Sequence, residues 1–217
     1  MALDERLALI VGAGPGNGLA LARRFGREGF RLALVGHPGG APLDLTGLDA
    51  RMYAADAGEP DSLRQSIADI QHDLGDPAVV IYNPSYPLDG APTVVSPEEV
   101  LKGLGVGAVG AVVATQAVYP AMAAARQGTL LFTGSGAGVN PWVGGIAVGM
   151  QKAALRNYVL GLAEEVKEQG IHAATVTIYG IVKAGSFFDP DRIAEQFWQV
   201  HTQPREAWQK EIDYRAS

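Results

Sequence analysis

The sequence predicts an α/β fold, a single Rossmann-like, doubly wound parallel sheet with helices on both faces. Three observations predict it. Short apolar runs alternate with longer amphipathic ones along the chain. Several short runs are apolar at every position, as in strands covered on both faces. The first of them passes through a glycine-rich turn into a helical pattern.

The elements follow in order. The runs LALIV (7–11), RLALVG (31–36), RMYAA (51–55), AVVIY (78–82), TLLFT (129–133) and HAATVTI (172–178) read as strands. The stretch 37–50, HPGGAPLDLTGLDA, holds too much Gly and Pro for a helix and predicts a loop. Leu63, Ile67, Ile70 and Leu74 form one helical stripe, and Pro60 stands where it opens a helix. Ser96-Pro97-Glu98-Glu99 is a capping-box start. Leu155, Val159, Leu162 and Val166 repeat the helical spacing. Asp189-Pro190 opens a helix whose stripe is Ile193, Phe197 and Val200. The tail 207–214 predicts a last strand.

Composition narrows the function. The 217 residues fit one domain, 1–217, able to bury a core. Hydrophobic residues make up 47% and charged residues 18%, a globular balance rather than a disordered one. A net charge of −6 favours neither nucleic acid nor an anionic membrane as partner. The absence of cysteine excludes disulfides and thiolate chemistry, and His37, His72, His172 and His201 have no ligand spacing, so no metal site is expected. The start, MALDERLALI, carries acids ahead of its first apolar run and is no secretory signal, which predicts a cytoplasmic protein. The segment 103–125 is long and nearly uncharged, but its Gly/Ala richness, Gln116 and Pro120 predict a helix buried on most sides rather than a membrane span.

Chemistry concentrates at the glycine turn. In LALIVGAGPGNGLALARRF, Gly12, Gly14, Gly16 and Gly18, with Asn17 between the last two, connect strand to helix. A loop without Cβ atoms lets backbone N–H groups approach a pyrophosphate, and the helix N-terminus adds a favourable dipole. A tight structural turn is the alternative.

The spacing Gly12-xxx-Gly16-x-Gly18 resembles that of the short-chain dehydrogenase/reductase family, and the resemblance runs along nearly the whole chain. It implies a nicotinamide cofactor. Asp56 stands where the family places an Asp against the adenine ring, or it caps a helix. Asn83 matches the first Asn of the family's Asn-Asn-Ala-Gly run, here Asn83-Pro84-Ser85-Tyr86. Ser135, in GTLLFTGSGAG, resembles the catalytic Ser, with a loop residue as the alternative reading. Lys152 resembles the Lys of Tyr-xxx-Lys, which in the family binds the nicotinamide ribose and lowers the pKa of Tyr. IYGIVKAG resembles the Pro-Gly segment beside the nicotinamide, with Tyr179 replacing Pro and Gly180 kept.

The pattern breaks twice. Position 148 is Val where the family has its proton-donating Tyr, and position 107 is Gly where an Asn usually closes the proton relay. Two readings follow. One is an NAD(P)-dependent oxidoreductase transferring hydride between NADP(H) and a small carbonyl or alcohol, with Tyr86 or Tyr179 as a surrogate acid. The other is a weakly active dinucleotide-binding protein, a sensor or a partner subunit. Val35-Gly36-His37-Pro38 brings no carboxylate against a 2′-phosphate, which His37 could contact, so NADP is expected over NAD, with NAD possible. The segment KAGSFFDPD, with adjacent Phe187 and Phe188, suggests a small or apolar substrate in an open cleft. The resemblance further implies a homodimer or homotetramer through helices near 97–126 and 148–169. Small residues there (Ala111, Ala114, Ala117, Ala154, Gly161) permit close approach or ordinary internal burial.

Overall fold

The computed structural model describes residues 3–216. Among them the apolar runs form strands β1 (Leu3–Val11), β2 (Arg31–Gly36), β3 (Ala50–Ala54), β4 (Asp76–Tyr82), β5 (Gly128–Ser135), β6 (Ile171–Ile178) and β7 (Glu211–Tyr214). All pair in parallel, in the order β3-β2-β1-β4-β5-β6-β7. Every residue of β4 and β6 is buried, which accounts for their unbroken hydrophobicity.

The helices are α1 (Asn17–Arg27), α2 (Pro60–Leu74), α3 (Pro97–Leu104), α4 (Gly110–Ala125), α5 (Ile146–Val166) and α6 (Pro190–His201). They make a core on each face of the sheet. On one side Leu63 and Ile67 of α2, Val113 and Val118 of α4, and Leu155 and Val159 of α5 meet alternate residues of β1, β4 and β5. On the other, Leu21 and Phe25 of α1 meet Ile193 and Phe197 of α6 over Ala8, Ile10 and Ile81. This is the doubly wound architecture that the alternation predicts. Strand order reverses between β1 and β4, and a crevice opens there at the carboxyl ends of the strands.

Boundaries differ where pairing rather than hydrophobicity decides them. β1 begins at Leu3, ahead of the apolar run, because Leu3 and Asp4 pair with Asp76 and Pro77 before a register shift. β3 lies one residue earlier than the apolar pattern suggests. No helix occupies 37–50, as its glycines and prolines predict. In the tail, a 3₁₀ turn at Arg205–Ala207 precedes a four-residue strand. Ser96 caps α3 by accepting from Glu99 N (3.3 Å), but the Glu99 carboxylate turns to Tyr86 and Lys102 instead of closing the capping box. Asp189 caps α6 by accepting from Asp191 N.

The helical run expected over 103–125 is interrupted once, and its exposed residues are confined to Val109, Gln116, Pro120, Ala124 and Ala125. α3 and α4 are joined by a π-helical turn, Gly105–Val109. The run Pro97–Ala125 is long and apolar enough to cross a membrane by length and composition, and 39% of its most apolar window is buried. Over 103–125 the remaining residues are buried or half-buried. The small residues of this run and of α5 divide by exposure. Ala111 and Ala114 face the core and present nothing to a second subunit, whereas Ala117, Ala154 and Gly161 are partly or fully exposed.

Glycine opens this run at one close crossing. A Cβ on Gly110 would lie 2.2 Å from Tyr82 Oη and 2.3 Å from Ala57 O. Gly110→Ala is therefore expected to cost about 1–3 kcal/mol by overpacking. Gly161→Ala, in open space on α5, should gain about 0.5–1 kcal/mol through helix propensity. Urea unfolding of the two variants checks both signs.

Candidate active site

A cleft of about 1270 Å³ lies at the strand-order reversal. Val11 to Pro15 and Asn17 line one wall, the ends of β4 and β5 the floor, and α5 the far side. The glycine turn is built for close approach. Gly12 takes φ +82°, and a Cβ there would sit 2.8 Å from Pro84 N. A Cβ on Gly18 would lie 2.6 Å from Gly12 O, so glycine is what lets α1 start against the turn. Gly14 and Gly16 differ, since a Cβ on either would meet nothing within 4 Å. They edge open space. α1 has no side-chain cap and no acid in its first turn, so its leading N–H groups remain available to an anion. Asn17 Oδ1 is buried there without a hydrogen-bond partner.

Asn83 lies at the centre of the floor, and its carboxamide is spent on building it. Nδ2 donates to Gly12 O (3.0 Å), and Oδ1 accepts from Thr133 Oγ1 (2.9 Å). Its amide N donates to Val11 O (2.9 Å). Asn83 thus holds the ends of β1, β4 and β5 together beneath the cleft.

Lys152 enters from α5 and is 3% exposed. Nζ donates to Thr133 O (2.8 Å) and Pro84 O (3.0 Å). An ammonium carries three N–H groups, so one remains for a ligand. Burial pushes this ammonium down to about 8. Glycines bring the floor and helix together. A Cβ on Gly138 would lie 2.7 Å from the carbonyl carbon of Lys152, and one on Gly149 would lie 2.9 Å from Ala137 O. Ser135 ends β5 beside Lys152 and Val148 on the cleft lining. Its Oγ accepts from Ala137 N (3.2 Å), and its proton is free to point into the cleft.

At the other end of the cleft, His37 Nε2 lies 3.7 Å from Asp56 Oδ2. Asp56 Oδ1 accepts from Gly58 N (2.8 Å), so this carboxylate both shapes its turn and faces the cleft. Gly180 lines the opposite end, where a Cβ would sit 2.1 Å from the Phe188 ring. The structure therefore brings Gly12, Gly14, Asn17, His37, Asp56, Asn83, Ser135, Lys152 and Gly180 to one cleft. Gly16 and Gly18 complete the turn without lining it.

Neither proposed surrogate acid is well placed. Tyr86 lines the cleft, but its hydroxyl donates to Glu99 Oε2 (2.6 Å), and that hydrogen bond raises its pKa. Tyr179 turns from the cleft. Its ring lies beneath the Arg215 guanidinium at 4.2 Å and packs on Gly136, and burial raises its pKa. Sequence reasoning also missed Gln151, fully buried beside Lys152, whose amide binds the Tyr86 backbone. The one available signal was a second polar residue in the apolar run IAVGMQKAAL.

Residues 6–186 match the family described as short chain dehydrogenase. Over 187 residues the chain is 26% identical to 3-oxoacyl-[acyl-carrier-protein] reductase MabA of Mycobacterium tuberculosis, spanning 86% of this chain and 71% of that one. Over 201 residues it is 27% identical to 3-oxoacyl-[acyl-carrier-protein] reductase FabG of Pseudomonas aeruginosa, spanning 90% and 78%. Among solved structures, a metagenomic short-chain oxidoreductase in complex with NADP aligns with TM-score 0.84 at 24% identity over 95% of each chain. Serine dehydrogenase from Escherichia coli aligns with TM-score 0.85 at 22% identity, over 95% of this chain and 96% of that one. At these identities the structural likeness bears on the fold.

The buried ammonium has a pH signature. Its folded pKa, about 8, lies below the ordinary lysine value of 10.5, so between these values the unfolded chain binds more protons and stability rises with pH. Below pH 8 the cost of the buried charge is fully present. The difference in unfolding free energy between wild type and Lys152→Met is expected to move in favour of wild type by roughly 3 kcal/mol from pH 8 to 10.5. Denaturant titrations across that range measure it.

Proposed function

The chain belongs to the short-chain dehydrogenase family, and we infer from this a nicotinamide-dependent function. We propose that it binds NADP(H) in this cleft and transfers hydride between it and a small carbonyl or alcohol. The carrying observation is the glycine turn, with Gly14 open to the cleft and an uncapped helix behind it, facing a buried ammonium with one N–H unspent.

The residues fit such a cofactor. The 12–18 turn and the start of α1 would take the pyrophosphate. The end of β2 carries no carboxylate, and His37 would meet a 2′-phosphate, which favours NADP; Asp56 would flank the adenine. Lys152 would hold the nicotinamide ribose, with Gly180 beside the ring. When bound, the nicotinamide supplies or takes the hydride. The chain's own part is to orient the substrate oxygen through the Ser135 hydroxyl and to hold positive charge at Lys152 Nζ beneath it. Leu101, Val106, Val148 and Val182 make part of the lining apolar, which suits an apolar carbonyl compound. The partly exposed Ala117 and Ala154, with Gly161, would face a second copy in a dimer or tetramer.

One observation favours a second reading. Val148 supplies no proton, the Tyr86 hydroxyl is committed to Glu99, and Tyr179 faces away from the cleft. A holder of NADP(H) with little turnover would look the same. The tests separate the two. By calorimetry NADPH is expected to bind more tightly than NADH, and Lys152→Met to weaken NADPH at least about 10-fold, the worth of a hydrogen bond to a charged group. Detectable NADPH oxidation with a panel of aldehydes and ketones supports the enzyme. Val148→Tyr should then raise kcat by about 10²–10⁴, the range of a positioned general acid. Binding without turnover, in wild type and Val148→Tyr alike, supports the second reading. Binding of neither coenzyme refutes both.

A further inference from the structure

Gln151 is polar, wholly buried and one residue from Lys152. Its Oε1 accepts from Tyr86 N (3.0 Å), and its Nε2 donates to Tyr86 O (2.8 Å). One carboxamide therefore satisfies both backbone groups of one residue, as a neighbouring strand would. The chain around Tyr86 has left β4, and its backbone is tied at Pro84 to Lys152, at Tyr86 to Gln151 and at Gly90 to Gly144. Consecutive side chains of α5 thus grip residues 84 and 86 of one stretch.

The same side chain explains the glycine at 107. A Cβ there would lie 2.6 Å from Gln151 Oε1, 2.7 Å from its Cβ and 2.9 Å from its Cγ. Gln151 fills the space that any larger residue at 107 would need. Gly107 lies in the π-helical turn, buried against α5. The amide that the family resemblance places at 107 is thus absent, and an amide from the neighbouring helix stands in its place.

We propose that Gln151 is a positioning residue for the Lys152 ammonium. Its carboxamide clamps Tyr86 and so holds the Pro84 carbonyl against Nζ, leaving the third N–H aimed into the cleft. The pairing with Gly107 is complementary: a side chain at 107 displaces the clamp, and loss of the clamp leaves a void beside 107. The charged groups nearby on α3, Glu99 and Lys102, pair with each other, and Glu99 also accepts from Tyr86, so none of them replaces the clamp. The value of this positioning to cofactor binding rests on the reading of Lys152 given above; the clamp itself does not.

The test uses the full chain, ¹³Cε-labelled at lysine, with the Lys152 signal assigned from Lys152→Met. Gln151→Leu removes the clamp at similar volume, and Gly107→Ala pushes on it while leaving Gln151 in place. Without the Pro84 acceptor the charged form loses a hydrogen bond, so the Lys152 titration midpoint is expected to fall in both variants. NADPH affinity is expected to drop about 10-fold. If Gln151→Leu does not fold, Gly107→Ala decides. Unchanged midpoints in the folded variants, with only a lower Tm, would overturn the proposal and leave Gln151 a packing residue. A shifted midpoint in a protein that binds no NADPH supports the clamp and defeats the cofactor reading instead.

Discussion

The Asn83 carboxamide is the interaction on which the cleft depends. It donates to Gly12 O and accepts from Thr133 Oγ1, so one side chain joins the ends of β1, β4 and β5 where the strand order reverses. A crevice between parallel strands leaves backbone groups without ladder partners, and such groups are costly to bury unsatisfied. Asn83 supplies one of the missing partners. Thr133 extends the chain of contacts, since its carbonyl accepts from Lys152 while its hydroxyl binds Asn83. The glycine turn, the strand ends and α5 are therefore one mechanical unit rather than three neighbouring pieces.

Electrostatics complete that unit. The turn presents uncapped N–H groups at the start of α1, and the floor presents a buried ammonium. Both favour an anionic or hydroxyl-rich ligand lying between them. Among the described residues no carboxylate pairs with Lys152; two carbonyl oxygens hold it, and burial lowers its pKa. A cation left short of partners in this way costs stability and retains affinity for a ligand that would supply the rest.

The departures at 107 and 148 acquire different meanings. Gly107 is compensated, because Gln151 occupies its space and brings an amide to the same corner. Val148 lines the cleft, and neither tyrosine that the sequence offers replaces a phenol there, the Tyr86 proton being held by Glu99 and the Tyr179 ring by Arg215. The groups that the proposed cofactor would meet, the glycine turn and Lys152, are in place, and of the proposed proton-donating groups Ser135 and Lys152 remain on the cleft.

The sequence by itself determined the sheet, the helices and the turn, because these are local. Unbroken hydrophobicity marks strands covered on both faces, a period near 3.6 marks helices, and Gly12 and Gly18 stand where no Cβ fits. The family resemblance also brought Asn83, Ser135, Lys152 and Gly180 into view. The sequence did not reveal the π-helical turn within 103–125, because composition reports how apolar a helix is and not where its hydrogen-bond ladder shifts. Only the tertiary structure decided which way Tyr86 and Tyr179 turn, that Asn83 is spent on the strand ends, and that Gln151 and Gly107 share one space. Residues 107 and 151, like 83 and 133, are far apart along the chain. Their contacts exist only after the strands align and α5 packs across them, so no local pattern of residues could carry them.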